Sequence, residues 1–184
     1  MVYISTDYVF DGTNEGEYEV GAPVNPKNEY GKAKLAGEEA VKVILDDYYI
    51  IRTSWFFGKY GKNFVYTMLR LARDHDKLTV VNDQFGRPTW TRTLVEFMTY
   101  LVDNDQPFGT YQLSNEGSCS WYEFASEILK DQNVEVAPVD SNAYPAKAYR
   151  PRHSIMSLMK AESTGFEIID WQSALKQFMG EIEE

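Results

Sequence analysis

The sequence predicts an α/β fold carried on a largely parallel sheet, and three observations lead there. Short apolar stretches of strand length alternate along the chain with stretches of helical period. The first strand stretch runs straight into polar Ser5-Thr6-Asp7, at the kind of strand end where open parallel sheets keep their ligands. Of the 184 residues, 43% are hydrophobic and 15% aromatic, enough to bury a real core in one good-sized domain or one and a half small ones.

Taken in order, Val2-Tyr3-Ile4-Ser5 reads as a short strand with apolar residues on both faces. Residues 11–28 are rich in Gly, Pro, Asn and Glu and read as a long loop. A helix follows from Glu29 to Ile44, with Leu35, Ala36, Glu39, Ala40 and Val43 at helical spacing. Tyr48–Trp55 is a second buried strand, residues 62–74 an amphipathic helix, and Leu78–Val81 a third strand. The turn-rich loop Asp83–Thr89 leads to a helix over Thr91–Val102. Gly109–Ser114 reads as a strand, Trp121–Lys130 as a helix capped by Ser120, and Val134–Val139 as a short strand. A polar loop carrying Arg150-Pro151-Arg152 precedes a last amphipathic helix near Trp171–Met179. No repeat, low-complexity tract or linker interrupts the chain. Residues 1–81 are expected to form one part and residues 82–184 a smaller, interleaved lobe.

The formal charge is −10, with 28 acidic against 18 basic residues. That balance argues against nonspecific nucleic-acid binding, which needs a basic face, but leaves room for a small anionic ligand where a few arginines converge. The single cysteine, Cys119, excludes an intrachain disulfide and fits a reducing compartment. No apolar run approaches membrane-spanning length, and the N-terminus lacks a signal-peptide pattern, so a cytoplasmic protein is expected. His75 sits in a charged stretch and is expected to be exposed. His153 has no second histidine at metal spacing, so no metal site is predicted.

Tyr30 and Lys34 lie four apart on the first predicted helix and share a face. An ammonium near a phenol favours the phenolate and brings proton transfer within reach at neutral pH. With 13 tyrosines in the chain such a pair arises easily by chance, so alone it is a weak motif. Thr6 and Asp7, at the strand end just before that helix, strengthen it. Thr6 can donate a hydrogen bond to a substrate carbonyl, and Asp7 can accept one.

The strings STDYVFDG (5–12) and EYGKAKLAGE (29–38) resemble the signature of extended short-chain dehydrogenases and, within them, the dTDP-4-dehydrorhamnose reductases. IRTSWFFG (51–58), VVNDQFGRPT (80–89), GTYQLSNEG (109–117) and RPRHS (150–154) agree in order and spacing, so the resemblance covers essentially the whole chain. It implies a partial Rossmann-like, doubly wound parallel sheet with a smaller substrate-binding lobe. Thr6-Asp7 is followed by Tyr8, where dehydratases of this group carry an acidic pair, which favours a reductase. The implied activity is reduction of the C4 ketone of dTDP-4-dehydro-6-deoxy-L-mannose by NADPH or NADH. Tyr30 would protonate the C4 oxygen; Lys34 would lower its pKa and hold the nicotinamide ribose. Ile4 and Ser5 would lie on the cofactor side. Thr6 would contact the substrate carbonyl with Asp7 beside it, and Trp55 would pack on the deoxysugar. Arg87, Arg150 and Arg152 are candidates for the pyrophosphate end, a task that suits their planar donors. Magnesium is associated with such proteins at acidic positions, but nothing in this sequence picks out a site.

Two departures stand out. Three residues past the serine of RPRHS the family carries an aspartate, and here the position is Ser157. The second is the glycine fingerprint that seats a dinucleotide on a helix N-terminus. Neither Gly12/Gly16 nor Gly58/Gly61 has its spacing. About the first third of the expected protein is therefore missing from this sequence, leaving the 2–5 strand with an open apolar edge. The chain alone is then expected to hold NAD(P)H poorly. It would act with an N-terminal half or associate with itself through that edge. The alternatives are a non-catalytic subunit of the same fold, like the regulatory subunit of methionine adenosyltransferase, or another sugar-nucleotide reductase or epimerase.

Overall fold

A computed structural model describes residues 1–183. Its centre is a three-stranded parallel sheet of β1 (Val2–Thr6), β2 (Tyr49–Thr53) and β7 (Gly109–Gln112), with β2 in the middle. The α/β prediction is met. β2 is buried at all five residues, as a strand flanked on both sides must be. β1 has only one neighbour, and Ile4 keeps 37% of its surface exposed.

One buried residue of β2 is an arginine. Arg52 is tolerated there because Glu38 meets it in a two-pronged ion pair, Nε to Oε1 at 2.9 Å and Nη2 to Oε2 at 2.8 Å. Its Nη1 donates to the Val20 carbonyl at 3.1 Å, and Ser5 Oγ donates to Glu38 Oε1 at 2.5 Å. Every prong of the buried charge is answered.

Glu38 sits on α1 (Glu29–Ile44), whose limits match the sequence expectation. Its face does not. The structure buries Gly31, Glu38 and Val41, whereas Ala36, Glu39, Ala40 and Val43 point outward, with Val43 84% exposed. Helical spacing finds apolar residues but not what covers them. Here α1 lies on β1, the sheet's edge, so only one stripe has a surface to pack on. Gly31 fixes that stripe: a Cβ there would stand 2.2 Å from the Tyr8 carbonyl oxygen.

The remaining elements are β3 (Phe56–Phe57), α2 (Phe64–Leu71), β4 (Lys77–Val81), β5 (Phe85–Gly86), β6 (Thr89–Trp90), α3 (Thr91–Asp103), β8 (Cys119–Ser120), α4 (Trp121–Ile128), β9 (Glu135–Val139), α5 (Met159–Glu162) and α6 (Trp171–Glu183). The third predicted strand, β4, does not join the central sheet. It pairs in parallel with β9 in a separate two-stranded sheet. Two cores result. Leu94, Phe97 and Leu101 of α3 pack with Tyr49, Ile51, Tyr111 and Leu158 around the central sheet. Phe57, Phe124, Phe178, Leu78 and Val80 pack in the second, which draws on β3, β4, α2, α4 and α6. Burying each of those phenylalanines is worth about 2–3 kcal/mol. The chain crosses between the cores: β4 serves the second, while α3 and β7, later in sequence, serve the first.

α4 shows how local code sets a boundary. Ser120 Oγ accepts from the Glu123 amide, and the Glu123 side chain accepts from the Ser120 amide, a complete capping box at the predicted start. Gly86 and Cys119 pair across β5 and β8, tying the 83–89 loop to the head of this helix.

Candidate functional site

At the carboxyl end of β1 the chain turns sharply. Thr6 caps a one-turn 3-10 helix (Asp7–Val9) by accepting from the Tyr8 amide at 3.2 Å, and its hydroxyl donates to Asp7 Oδ1 at 3.0 Å. Thr6 is buried and its proton is engaged inward, so it does not present the free donor to a carbonyl that the sequence suggested. Asp7 is buried too, at 2% exposure, with Oδ2 left without a partner. Burial raises its pKa to about 6, against the opposing hydrogen bond from Thr6. Neither side chain lines either of the two cavities described below.

The residue that does is Tyr30. It lies in the first turn of α1, 56% exposed, with its ring edge-on to Tyr8 at 6.0 Å. Asn28 begins the helix by accepting from the Gly31 amide at 2.7 Å. Its other amide arm donates to the Tyr149 carbonyl at 2.9 Å, pulling the 144–150 loop over the helix start. Between them lies a cavity of about 470 Å³, lined by Tyr8, Tyr30, Tyr149, Lys27, Lys147 and Arg150.

Lys34, one turn after Tyr30, is directed elsewhere. Its Nζ lies over the Tyr3 ring, 4.5 Å from the centroid, and its carbonyl accepts from Tyr3 Oη. No hydrogen bond joins it to Tyr30 among the described residues. Ser5, expected on the cofactor side, spends its hydroxyl on Glu38, whereas Ile4 remains half-open on β1.

The three arginines separate clearly. Arg87 is a strut: Nη1 donates to the Met156 carbonyl at 2.7 Å and Nη2 to Glu17 at 2.5 Å, and its buried Nε has no partner. Those contacts hold the guanidinium inward, at 12% side-chain exposure, rather than toward a cavity. Arg152 is exposed and only loosely paired, 3.9 Å from Asp83. Arg150 alone reaches a cavity, and it reaches two. The second, of about 530 Å³, is walled by Phe64, Met68, Val80, Trp121 and Tyr144, with Arg150 at its edge.

Trp55 departs from the expectation of a free sugar platform. Its ring is stacked on Trp121 at 3.6 Å, nearly parallel, and it is Trp121 that lines the second cavity. Its backbone lies in the left-handed region, at φ +49°, an uncommon state for a bulky residue. Gly86 makes room for the ring, since a Cβ at 86 would stand 2.6 Å from Trp55 Cε2.

Sequence reasoning missed Tyr8, Lys27, Lys147, Tyr149, Trp121 and Tyr144 as cavity walls. Lys27 and Lys147 are 120 positions apart, and no local spacing joins them. Tyr8 is placed by the 3-10 turn after Thr6, which the sequence reading did not predict. Cys119 is buried, and burial pushes its thiol pKa up, which keeps it in the unreactive thiol form. Among the described residues no cluster of His, Cys, Asp or Glu is placed to hold a metal ion, and no helix is long and apolar enough to cross a membrane.

A parallel α/β domain whose sheet end meets a tyrosine-bearing cleft edged with cations defines a class of ligand-binding α/β proteins. Within it, this chain belongs to the RmlD substrate binding domain family, whose model matches residues 1–184. The chain is 43% identical over 182 residues to the spore coat polysaccharide biosynthesis protein SpsK of Bacillus subtilis, covering 98% of this chain and 64% of that protein. It is similar to a dTDP-4-dehydrorhamnose reductase of Bacillus anthracis solved in complex with NADP, at 42% identity and a TM-score of 0.94, over 98% of this chain and 65% of the other. The Clostridium acetobutylicum enzyme of the same name gives 39% identity and a TM-score of 0.96, over 100% and 66%. The chain thus spans just under two thirds of the length of each.

Proposed function

We propose that this chain is the substrate-binding and proton-donating part of a dTDP-4-dehydrorhamnose reductase, acting on the C4 ketone of dTDP-4-dehydro-6-deoxy-L-mannose. The observation that carries the reading is Tyr30: a half-exposed phenol at a helix start, opening into a cation-edged cavity, in a chain of this family. The ketosugar lies against Tyr30, the diphosphate at Arg150, and the nucleoside in the aromatic second cavity, because Arg150 edges both spaces. Tyr30 delivers its proton to the C4 oxygen as that oxygen gains charge, and Tyr8, edge-on beside it, limits where the phenol can swing. Asp7 and Thr6 act from beneath by fixing the turn that carries Tyr8. Trp55 acts through Trp121.

NADPH or NADH would supply the hydride, as the relative bound to NADP suggests. The residues present fit only its nicotinamide end. Lys34 can reach a ribose once it leaves Tyr3, but Ser5 is committed to Glu38 and no glycine fingerprint is present to seat a pyrophosphate. The same proposal assigns residues 1–81 mainly to catalysis and residues 82–184 mainly to substrate, with β4 and β7 exchanged between them. It also assigns a cytoplasmic setting and a dinucleotide-binding segment, or a second copy, against the β1 edge.

The test is NADPH oxidation with the dTDP-ketosugar, using this chain joined to the dinucleotide-binding segment of a solved relative. Tyr30→Phe should lower kcat by about a hundredfold or more while leaving dTDP binding intact. Full activity in Tyr30→Phe would remove the proton donor from this reading.

A further inference from the structure

We propose that Lys27 and Lys147 form, with Arg150, a two-sided cationic clasp for a diphosphate, closing the 144–150 loop onto the start of α1 beside Tyr30. This rests on the reading of the cavity as a nucleotide-sugar site and names the residues that hold its anion. In a chain of charge −10, three cations line one cavity. None of the three is ion-paired among the described residues, while most neighbouring charges are spent: Glu29 holds Lys32 at 2.7 Å, Arg87 holds Glu17 and Glu38 holds Arg52. Unbalanced cations gathered on a concave wall concentrate positive potential there. Glu29, the one acid on that wall, is the acid bound to Lys32.

The cations also come from two segments. Lys27 precedes the helix cap Asn28, and Lys147 and Arg150 flank Tyr149, whose carbonyl Asn28 already holds. An anion seated between them neutralises both sides at once and draws the loop toward Tyr30. Two lysines suit this task because their ammonium groups rotate freely around a phosphate, and Arg150 adds a planar fork at the junction with the second cavity. Burial holds the Tyr8 phenol pKa up, while the charge of Arg150 opposes this, as a guanidinium close to that wall should.

The experiment is isothermal titration of the 184-residue chain with inorganic pyrophosphate, dTDP and thymidine at low and high salt. Lys27→Gln and Lys147→Gln should each weaken pyrophosphate and dTDP about fivefold at low salt, with the double variant weaker than either. The losses should shrink at high salt, where screening removes the benefit of the charge. Thymidine binding should not move, and Lys176→Gln on α6 should behave as wild type. Lys27, Lys147 and Lys176 are all exposed, and thermal melts of the variants check that the fold is kept. Pyrophosphate affinity unchanged in the double variant, or no pyrophosphate binding by the wild-type chain, overturns the clasp. If pyrophosphate binds through the lysines but dTDP binds no more tightly, the clasp stands and the nucleotide-sugar reading falls.

Discussion

Asp7 carries a charge that the fold makes expensive. Its carboxyl is buried, one oxygen has no partner, and its pKa rises from 3.8 to about 6. The folded state therefore binds this proton more tightly than the unfolded chain does. Stability from this group is highest below pH 4 and declines as the pH climbs from about 4 to about 6, above which the penalty is constant. Asp7→Asn should flatten that stretch. Urea unfolding at pH 4 and pH 7 should show the parent losing about 2–3 kcal/mol relative to the variant across the interval. Equal pH dependence in both would mean that the acid is not strained. The sequence marked Asp7 and Thr6 by their place at a strand end. It could not show that both side chains turn inward, because the direction of a hydroxyl or a carboxyl follows from the turn after Thr6, which residue spacing does not display.

Among elements, α1 was legible at its ends and misleading on its sides. Asn28 and the run of good helix formers set its limits. Its buried face was only partly visible because, beside Val41 and Leu35, the contacts that set it are made by a charge and by a glycine that lets the backbone come close. Glu38 in particular reads in the sequence as a solvated acid. Its burial is comprehensible only with Arg52, a residue of another strand. Glu38→Ala should destabilise the chain by about 3–5 kcal/mol, since it strands the guanidinium and the Ser5 hydroxyl together. A double variant with Arg52→Met should recover much of that loss, measured by denaturant unfolding. If Glu38→Ala unfolds no more easily than the parent, the pair contributes nothing to holding α1 on the sheet. The arginines of the 83–89 and 150–154 segments tell the same story: their residue type suggested anion binding, but only neighbours far along the chain decide which one is free to do it.

At the scale of the molecule, the alternation of strands and helices announced the fold class, and six ordered sequence strings announced the family. What the order of strings could not convey was the exchange between cores, in which β4 leaves the central sheet for β9 and β7 returns to it. Pairing over such distances is a property of topology. The central sheet ends at β1 with exposed Val2 and Ile4, and Val43 and Ile44 of α1 lie open as well. The glycine fingerprint that seats a dinucleotide's pyrophosphate on a helix N-terminus is not found in this sequence. Titration with NADPH should accordingly show binding no tighter than about millimolar for this chain, a weak-affinity scale near −4 kcal/mol. Micromolar affinity would mean that the cofactor finds a seat without glycines.

Asn28 occupies the hinge between these scales. One arm of its side chain accepts from the first turn of α1, and the other donates to the loop that roofs the cavity. A carboxylate of the same size could still begin the helix, yet it has no hydrogen to offer the Tyr149 carbonyl. An aspartate at this position would thus leave the helix standing and the roof without its tie to the helix start, held by Tyr149 Oη on the Asp11 carbonyl and Tyr144 on Thr79. A single amide, by speaking to both, makes the posture of the loop depend on the same turn of backbone that aims Tyr30.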